Sequence, residues 1–376
     1  MRRRSLRDLG LDAVPFRRPL EYPGRPAPEP CLLLEAELLP LRAVRGRPLG
    51  AWPVGTDGTV GTVGTAGTVG TAGTWPVVGG GAGALADGSG ARARTDGRGV
   101  RAHTDGAGPP GARTDGAEPE ARGDGNGPPV VDGSRPPRPG GATDDGAAPD
   151  DAGPPLDAVL TALGRLVTGR RHPVLAVGSN ASPAQMCHKL AAHGLPAAVP
   201  MVPVTVRGIG VGCSAHIGRA GYVAAAPYAD PAAERRLVVS WLDPDQLAAV
   251  DASELHYRRV LLPGAAFPMT LPSGDPLGGA YLYVSRHGVL LDPATGRPRP
   301  GAEDQGALLS ALLRSSKRLR TLLGPDPRAW TERARAEETV RAEGARIFRE
   351  EGWIRPEGDL PSGSGTTDLR HADLSP

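Results

Sequence analysis

The chain has 376 residues, of which 54 are Gly and 41 Pro, a combined share near the level at which an aperiodic segment reads as low-complexity. Aromatics make up 4% and hydrophobic residues 39%, too little apolar material to pack the whole length as one globule, so one modest core plus a long unfolded part is expected. The formal net charge of +2 makes no whole-chain case for nucleic acid or an anionic membrane as partner.

The three cysteines, Cys31, Cys187 and Cys213, argue against a disulfide scaffold and fit a reducing cytoplasm. No run of about 18 charge-free apolar residues suits a membrane span, and the opening Met-Arg-Arg-Arg has no apolar stretch behind it, so no signal peptide is read. The expected location is cytoplasmic. Basic residues are almost all Arg, with Lys at 189 and 317 alone, in keeping with a GC-rich coding bias.

Residues 1–45 form an N-terminal segment. Its run Cys31-Leu32-Leu33-Leu34, continuing to Leu38-Leu39, suits one strand of the core. Residues 46–154 read as a disordered Gly/Pro/Thr/Asp/Arg insert. Seven glycines keep a Gly-Thr-x register from Gly55 to Thr74, but the tract has no proline, which weighs against a collagen helix. Three Thr-Asp-Gly units follow at Thr95, Thr104 and Thr114. A neutral, expanding repeat is the preferred reading of this insert and a flexible tether the other; no partner for it is named.

The informative part is 155–325. Leu156 to Leu163 has helical spacing, and Pro173 to Val177 is a buried strand running into a turn at Gly178-Ser179-Asn180. Ser182 caps a helix with Pro183 in its first position, and Asp243-Pro244 opens another in the same style. Strands are predicted at 202–211, 236–241, 257–262 and 280–285. A leucine stripe from Leu308 to Leu323 predicts a helix, and 326–355 a charged helix with Glu/Arg pairs at i,i+4. Residues 356–376 read as a flexible tail. Strands and helices mix without βαβ alternation, so the fold class is α+β: a small, mostly antiparallel barrel or curved sheet with flanking helices.

Two motifs carry chemistry. Val177-Gly178-Ser179-Asn180, between a buried strand and a helix, suits a cradle of backbone N–H groups for a carboxylate or oxyanion, or else is a plain turn. Asp251 and Glu254 lie three apart at a helix–strand junction. Either Glu254 is a partly desolvated general base, or it is salt-bridged to Arg258 or Arg259.

Together the two motifs resemble the gamma-glutamylcyclotransferase-like family, whose signature is a strand ending in Tyr-Gly-Ser-Asn, then a helix ending in Asp-x-x-Glu-Gly and a Tyr-x-Arg strand. Here the corresponding residues are Val177-Gly178-Ser179-Asn180, Asp251-Ala252-Ser253-Glu254 and Tyr257-Arg258-Arg259, with Val238 to Leu242 and Tyr281 to Val284 as flanking strands. The likeness covers roughly residues 172–290. It implies a divergent member, with Val177 in place of the family's Tyr and Leu255 in place of its Gly; the latter suggests a narrower pocket or altered turn.

The resemblance also implies cyclisation of a gamma-glutamyl amide to 5-oxoproline. Glu254 would be the base, and residues 177–180 would hold the substrate's carboxylate or carbonyl oxygen. The substrate is a small molecule, with neither cofactor nor metal. A non-catalytic module on the same scaffold, recognising a carboxylate-bearing metabolite or peptide end, is the alternative.

His216, Arg219 and Tyr222 are read in a loop, Ser214 to Tyr222, that either rims the pocket or merely ties strands; His216 and Tyr257 are the candidate pocket residues. Cys213-x-x-His216 with Cys187-His188 offers four zinc ligands. However, adjacent residues 187 and 188 point apart and finger spacing is absent, so a small buried Cys and a polar His are preferred. A Cys or Ser nucleophile with His216 is a third reading, whose Cys/His form predicts alkylation at Cys213; no Gly-x-Ser-x-Gly elbow supports it.

Overall fold

A computed structural model describes residues 4–55, 153–301, 303–356, 358, 360–361 and 369–374. These all belong to one compact unit. The N-terminal segment supplies β1 (Arg4–Ser5), β2 (Cys31–Leu34) and β3 (Glu37–Pro40). After α1 (Leu156–Ala162) come β4 (His172–Ala176), α2 (Pro183–Ala192) and the two longest strands, β5 (Ala198–Ile217) and β6 (Val223–Leu242). Then follow α3 (Pro244–Ser253), β7 (Tyr257–Pro263), β8 (Met269–Thr270), β9 (Pro276–Leu277), β10 (Gly279–Ser285) and β11 (Val289–Leu290). Four helices, α4 (Gln305–Ser315), α5 (Lys317–Leu323), α6 (Pro327–Ala336) and α7 (Glu338–Glu350), precede β12 (Ile354–Arg355).

The main path of the sheet runs β1-β3-β2-β5-β6-β4-β10-β7, antiparallel except for β4 beside β10. Among the described residues β1 and β7 are its two ends, so the sheet is open. Of the expected barrel or curved sheet, the closed barrel does not form: the described residues build an open sheet of 12 strands, in which β5 and β6 run 20 residues each.

Side-chain parity explains why β5 is buried on both faces. Val202, Val204 and Val206 enter one core with Leu32, Leu175, Trp241, Leu282 and Leu160 of α1. Val199 and Met201 enter the other with Met186 and Leu190 of α2 and Leu247 and Val250 of α3. Alternate residues of a strand face opposite sides. The parity flips after Val206: Ile209 joins the first core. Gly208, at φ +84, lies at the register shift between Arg207 and Ile209, where this one residue of β5 stands opposite residues 230–233 of β6. A third core lies against the far end of the β5–β6 hairpin, where Ile217 and Val223 meet Leu312, Leu323, Trp330 and Phe348.

The leucine stripe from Leu308 to Leu323 is two helices, broken at Ser316, whose hydroxyl accepts from Leu319 N and caps α5. The charged region after Asp326 is also two helices, broken at extended Glu337. Residues 46–55, assigned from composition to the insert, belong to the core: Trp52 is fully buried and its indole donates to Arg47 O at 3.1 Å. Val54 N donates to Pro154 O at 2.9 Å. The rest of the insert, 56–152, lies outside the described residues.

The described parts of 356–376 pack onto the unit. Leu369 N donates to Tyr281 Oη at 2.6 Å, and His371 N to Arg171 O at 2.7 Å. Among the described residues no helix is long and apolar enough to cross a membrane.

Candidate functional site

Strand β4 ends at Ala176, and Val177 and Gly178 lead into a single 3-10 turn, Ser179–Ala181. Ser182 then caps α2, its hydroxyl accepting from Gln185 N at 3.5 Å, with Pro183 in the first turn. On the other side, Asp243 and Gln246 form a reciprocal capping box that starts α3. That helix stops at Glu254, which adopts φ −105 and ψ 43. Glu254 N donates to Asp251 O, and Tyr257 N donates to Glu254 O at 2.9 Å, so the carboxylate sits on the hydrogen-bonded corner between α3 and β7.

The two motifs meet. Asn180 Nδ2 donates to Glu254 Oε1 at 3.0 Å across 74 residues of sequence. Lys189, from the last turn of α2, donates to the same Oε1 at 2.5 Å and to Asn180 Oδ1 at 2.7 Å. The Lys189 and Glu254 side chains are 11% and 14% exposed. Glu254 is thus ion-paired to Lys189, a partner the sequence reading did not name. Arg259 instead forks onto Asp251, at 3.0 and 3.1 Å, and Tyr283 Oη donates to Asp251 at 2.6 Å. Arg258 donates to Pro361 O. Asp251 and Glu254 therefore part company: one braces the sheet, the other faces the turn.

Three phenols wall the turn. Tyr22, from the N-terminal segment, accepts from Ala225 N at 2.7 Å. Tyr257 donates to Ala225 O at 2.9 Å. Tyr222 stacks on Tyr22 with ring centroids 4.3 Å apart. Burial holds all three phenols protonated well above the ordinary range, and the Glu254 charge pushes each further the same way.

Val177, half-buried, packs against the cluster of Tyr22, Ala224 and Ala225. Leu255 is 79% exposed and its backbone stays out of the left-handed region, so it neither narrows the site nor needs glycine geometry.

His216 is not in a loop. It lies within β5, with Ser214 and Ser285 beneath it: Ser214 Oγ is 2.6 Å from His216 Nδ1 and 2.6 Å from Ser285 Oγ. Its ring meets Tyr257 edge-on at 5.8 Å and lies 4.5 Å from His256 and 4.7 Å from His287. Burial, then its two neighbouring histidines, lower its pKa well below 6.5 and keep it neutral. Cys213 is buried and donates to Pro300 O at 3.1 Å, and burial pushes its thiol up to about 12. The thiol thus bonds a carbonyl and lies in the third core, while His216 bonds Ser214, an arrangement that does not favour the Cys/His hydrolase reading. Cys187, far along the chain, donates to Glu35 O. Among the described residues no cluster of three His, Cys, Asp or Glu side chains is placed to hold a metal ion.

A separate concavity of about 320 Å³ lies between Leu34, Glu35, Leu163, Arg165 and Pro196, away from this turn. Sequence reasoning missed Lys189 and Tyr22. For Lys189 the available signal was its rarity; for Tyr22, on the far side of the insert, there was none.

No protein-family model matches the chain, and no curated protein does. Solved structures similar in part include a gamma-glutamyl cyclotransferase, at 12% identity over 52% of this chain and 94% of that one, TM-score 0.25. A yeast gamma-glutamyl cyclotransferase specific to glutathione matches at 12% identity over 44% and 98%, TM-score 0.24. A protein from Arabidopsis thaliana matches at 18% identity over 41% and 89%, TM-score 0.25. The likeness is weak and confined to the fold.

Proposed function

We propose that this chain is a gamma-glutamylcyclotransferase-like enzyme that closes a gamma-glutamyl amide on itself and releases 5-oxoproline, with Glu254 as general base. The observation that carries the reading is the 3.0 Å hydrogen bond from Asn180 to Glu254, which joins the cradle motif and the carboxylate motif in one place. Glu254 takes a proton from the substrate's alpha-ammonium. The freed amine attacks the gamma-carbonyl carbon, and the carbon–nitrogen bond to the leaving amine breaks. The attacking nitrogen gives up its second proton as the ring closes, and both protons, relayed through Glu254, end on the leaving nitrogen, which departs as an ammonium.

An intramolecular attack needs no second bound reactant, so orientation, one base and donors for the oxyanion suffice. The Val177–Asn180 turn supplies the donors. Metal and cofactor have no part in this scheme.

The test is 5-oxoproline release from a panel of gamma-glutamyl dipeptides, gamma-glutamyl amines and glutathione, comparing wild type with Glu254→Gln. Release that disappears in the variant, with its melting temperature kept, supports the reading. Absence of release from every member overturns it.

The second reading is a binding module on the same scaffold. It is favoured by the fact that Glu254 Oε1 already carries both Asn180 and Lys189. It predicts calorimetric binding of a gamma-glutamyl dipeptide that Glu254→Gln changes little, without turnover.

A further inference from the structure

Forty-one of the 43 Lys and Arg residues are Arg. One of the two exceptions, Lys317, is exposed on a helix surface; the other is Lys189, at Glu254. Helical side chains lean toward the N-terminus of their helix. Lys189 accordingly reaches back to Asn180, nine residues earlier, and across to Glu254.

The choice of Lys over Arg matters here. An ammonium is a point charge with three donors, and two of them are used, on Asn180 Oδ1 and Glu254 Oε1. An arginine fork favours both oxygens of a carboxylate at once, as Arg259 demonstrates on Asp251. Asn180 also engages Oε1, so both donors converge on one oxygen of Glu254. A largely buried ion pair adds little net stability by itself, because desolvation offsets its attraction. Helix-end electrostatics would be served equally by arginine.

We infer that Lys189 is the positioning residue for Glu254: it fixes the carboxylate through Oε1 alone and leaves Oε2 as the oxygen that accepts the substrate proton. The inference rests on the cyclotransferase reading for its chemistry and on the ion pair for its geometry. Asn180 holds both ends, accepting from Lys189 and donating to Glu254, so the three side chains form a closed ring of hydrogen bonds.

The test has two arms on the full chain. In the first, wild type and Glu254→Gln are treated with an amine-acylating reagent and both lysines are followed by peptide mapping. Lys189 should label at least about tenfold more slowly than Lys317 in wild type, and much of that difference should vanish in Glu254→Gln. Equal labelling in wild type overturns the pair, whatever the activity.

In the second arm, Lys189→Met and Lys189→Arg are assayed for 5-oxoproline release. Both should lose about a hundredfold in kcat with KM changed less than about threefold, the range that general-base placement commands. Full activity in Lys189→Arg overturns the inference, because a role needing only positive charge would be rescued. Wild type without turnover is the failure of the enzyme reading and takes the Oε2 assignment with it. Wild type that turns over while Lys189→Arg equals it is the failure of this inference alone.

Discussion

The Tyr22 hydroxyl stands over Gly178 so closely that a Cβ there would lie 2.4 Å from Tyr22 Oη. Gly178 has φ −139, outside the left-handed region, and the space a side chain would need there is taken by the phenol. Gly178→Ala should destabilise by about 1–3 kcal/mol through overpacking. Tyr22→Phe should cost about 1–3 kcal/mol by orphaning the buried Ala225 N–H. With the oxygen gone, the next Tyr22 atom would be 3.5 Å from the new Cβ, so the double variant should lose less than the sum. Denaturant unfolding of the four proteins reads the coupling; strict additivity would sink the account.

His216 gives the protein a pH dependence below neutrality. It stays neutral in the native state, whereas the unfolded chain takes a proton near 6.5. The unfolded state then binds more protons, so the stability is full above about 6.5 and is lost as pH falls below it, by at most about 1.4 kcal/mol per pH unit. His256 and His287 face it and are lowered too, first by burial; being more open to solvent than His216, they add less. His216→Asn should flatten the slope of stability against pH between about 6.5 and 5. An unchanged slope would assign the effect elsewhere.

Arg171 is the buried fastener of the sheet's base. Its guanidinium donates to Leu166 O at 2.7 Å, Ala198 O at 3.0 Å and Trp241 O at 3.2 Å, and burial lowers its pKa to about 10. Arg171→Met should cost at least about 3 kcal/mol, because three carbonyls lose a charged donor at once. Arg171→Lys should recover only a part. A melting temperature within a degree of wild type in the Met variant would contradict this.

The thiols should be inert in the folded protein. Burial pushes Cys31, Cys187 and Cys213 each up to about 12. Iodoacetamide near neutral pH should modify Cys31 and Cys213 at least about a hundredfold more slowly in native than in unfolded protein. Fast labelling of Cys213 with loss of turnover would restore a thiol mechanism.

What the sequence made legible was local. Ser182-Pro183 and Asp243-Pro244 are helix starts in the structure, because capping is decided within four residues. The strand at 173–177 into Gly178 is likewise present as His172–Ala176. The break at Ser316 was open to the same logic, a serine cap hidden inside a leucine stripe. The length of β6 was not: Ala224-Ala225-Ala226 and Pro227 lack the alternation that marks a strand, and pairing with β5 supplies what propensity does not.

Closure of the sheet depends on whether β1 and β7 meet, which no local pattern encodes. The site divides the same way. Gly178 to Asn180 and Glu254 announce themselves by order and spacing. Tyr22 reaches Ala225 across 203 residues, and Lys189 chooses Glu254 only once α2 and α3 are packed side by side.

The hydrogen bond from Val54 N to Pro154 O joins the two ends of a long excursion. It is flanked by a bridge between Pro53 and Pro155 and by Leu156 N donating to Trp52 O. The fold is therefore stitched shut at the base of residues 56–152. A gene in which that span is excised and its stumps spliced by a few glycines should encode the same sheet, the same three cores and the same Glu254 corner. The converse also follows: the seam is a natural place to open the backbone, so that a permuted chain beginning at 153 and ending at 55 would keep its architecture once the old termini were tethered.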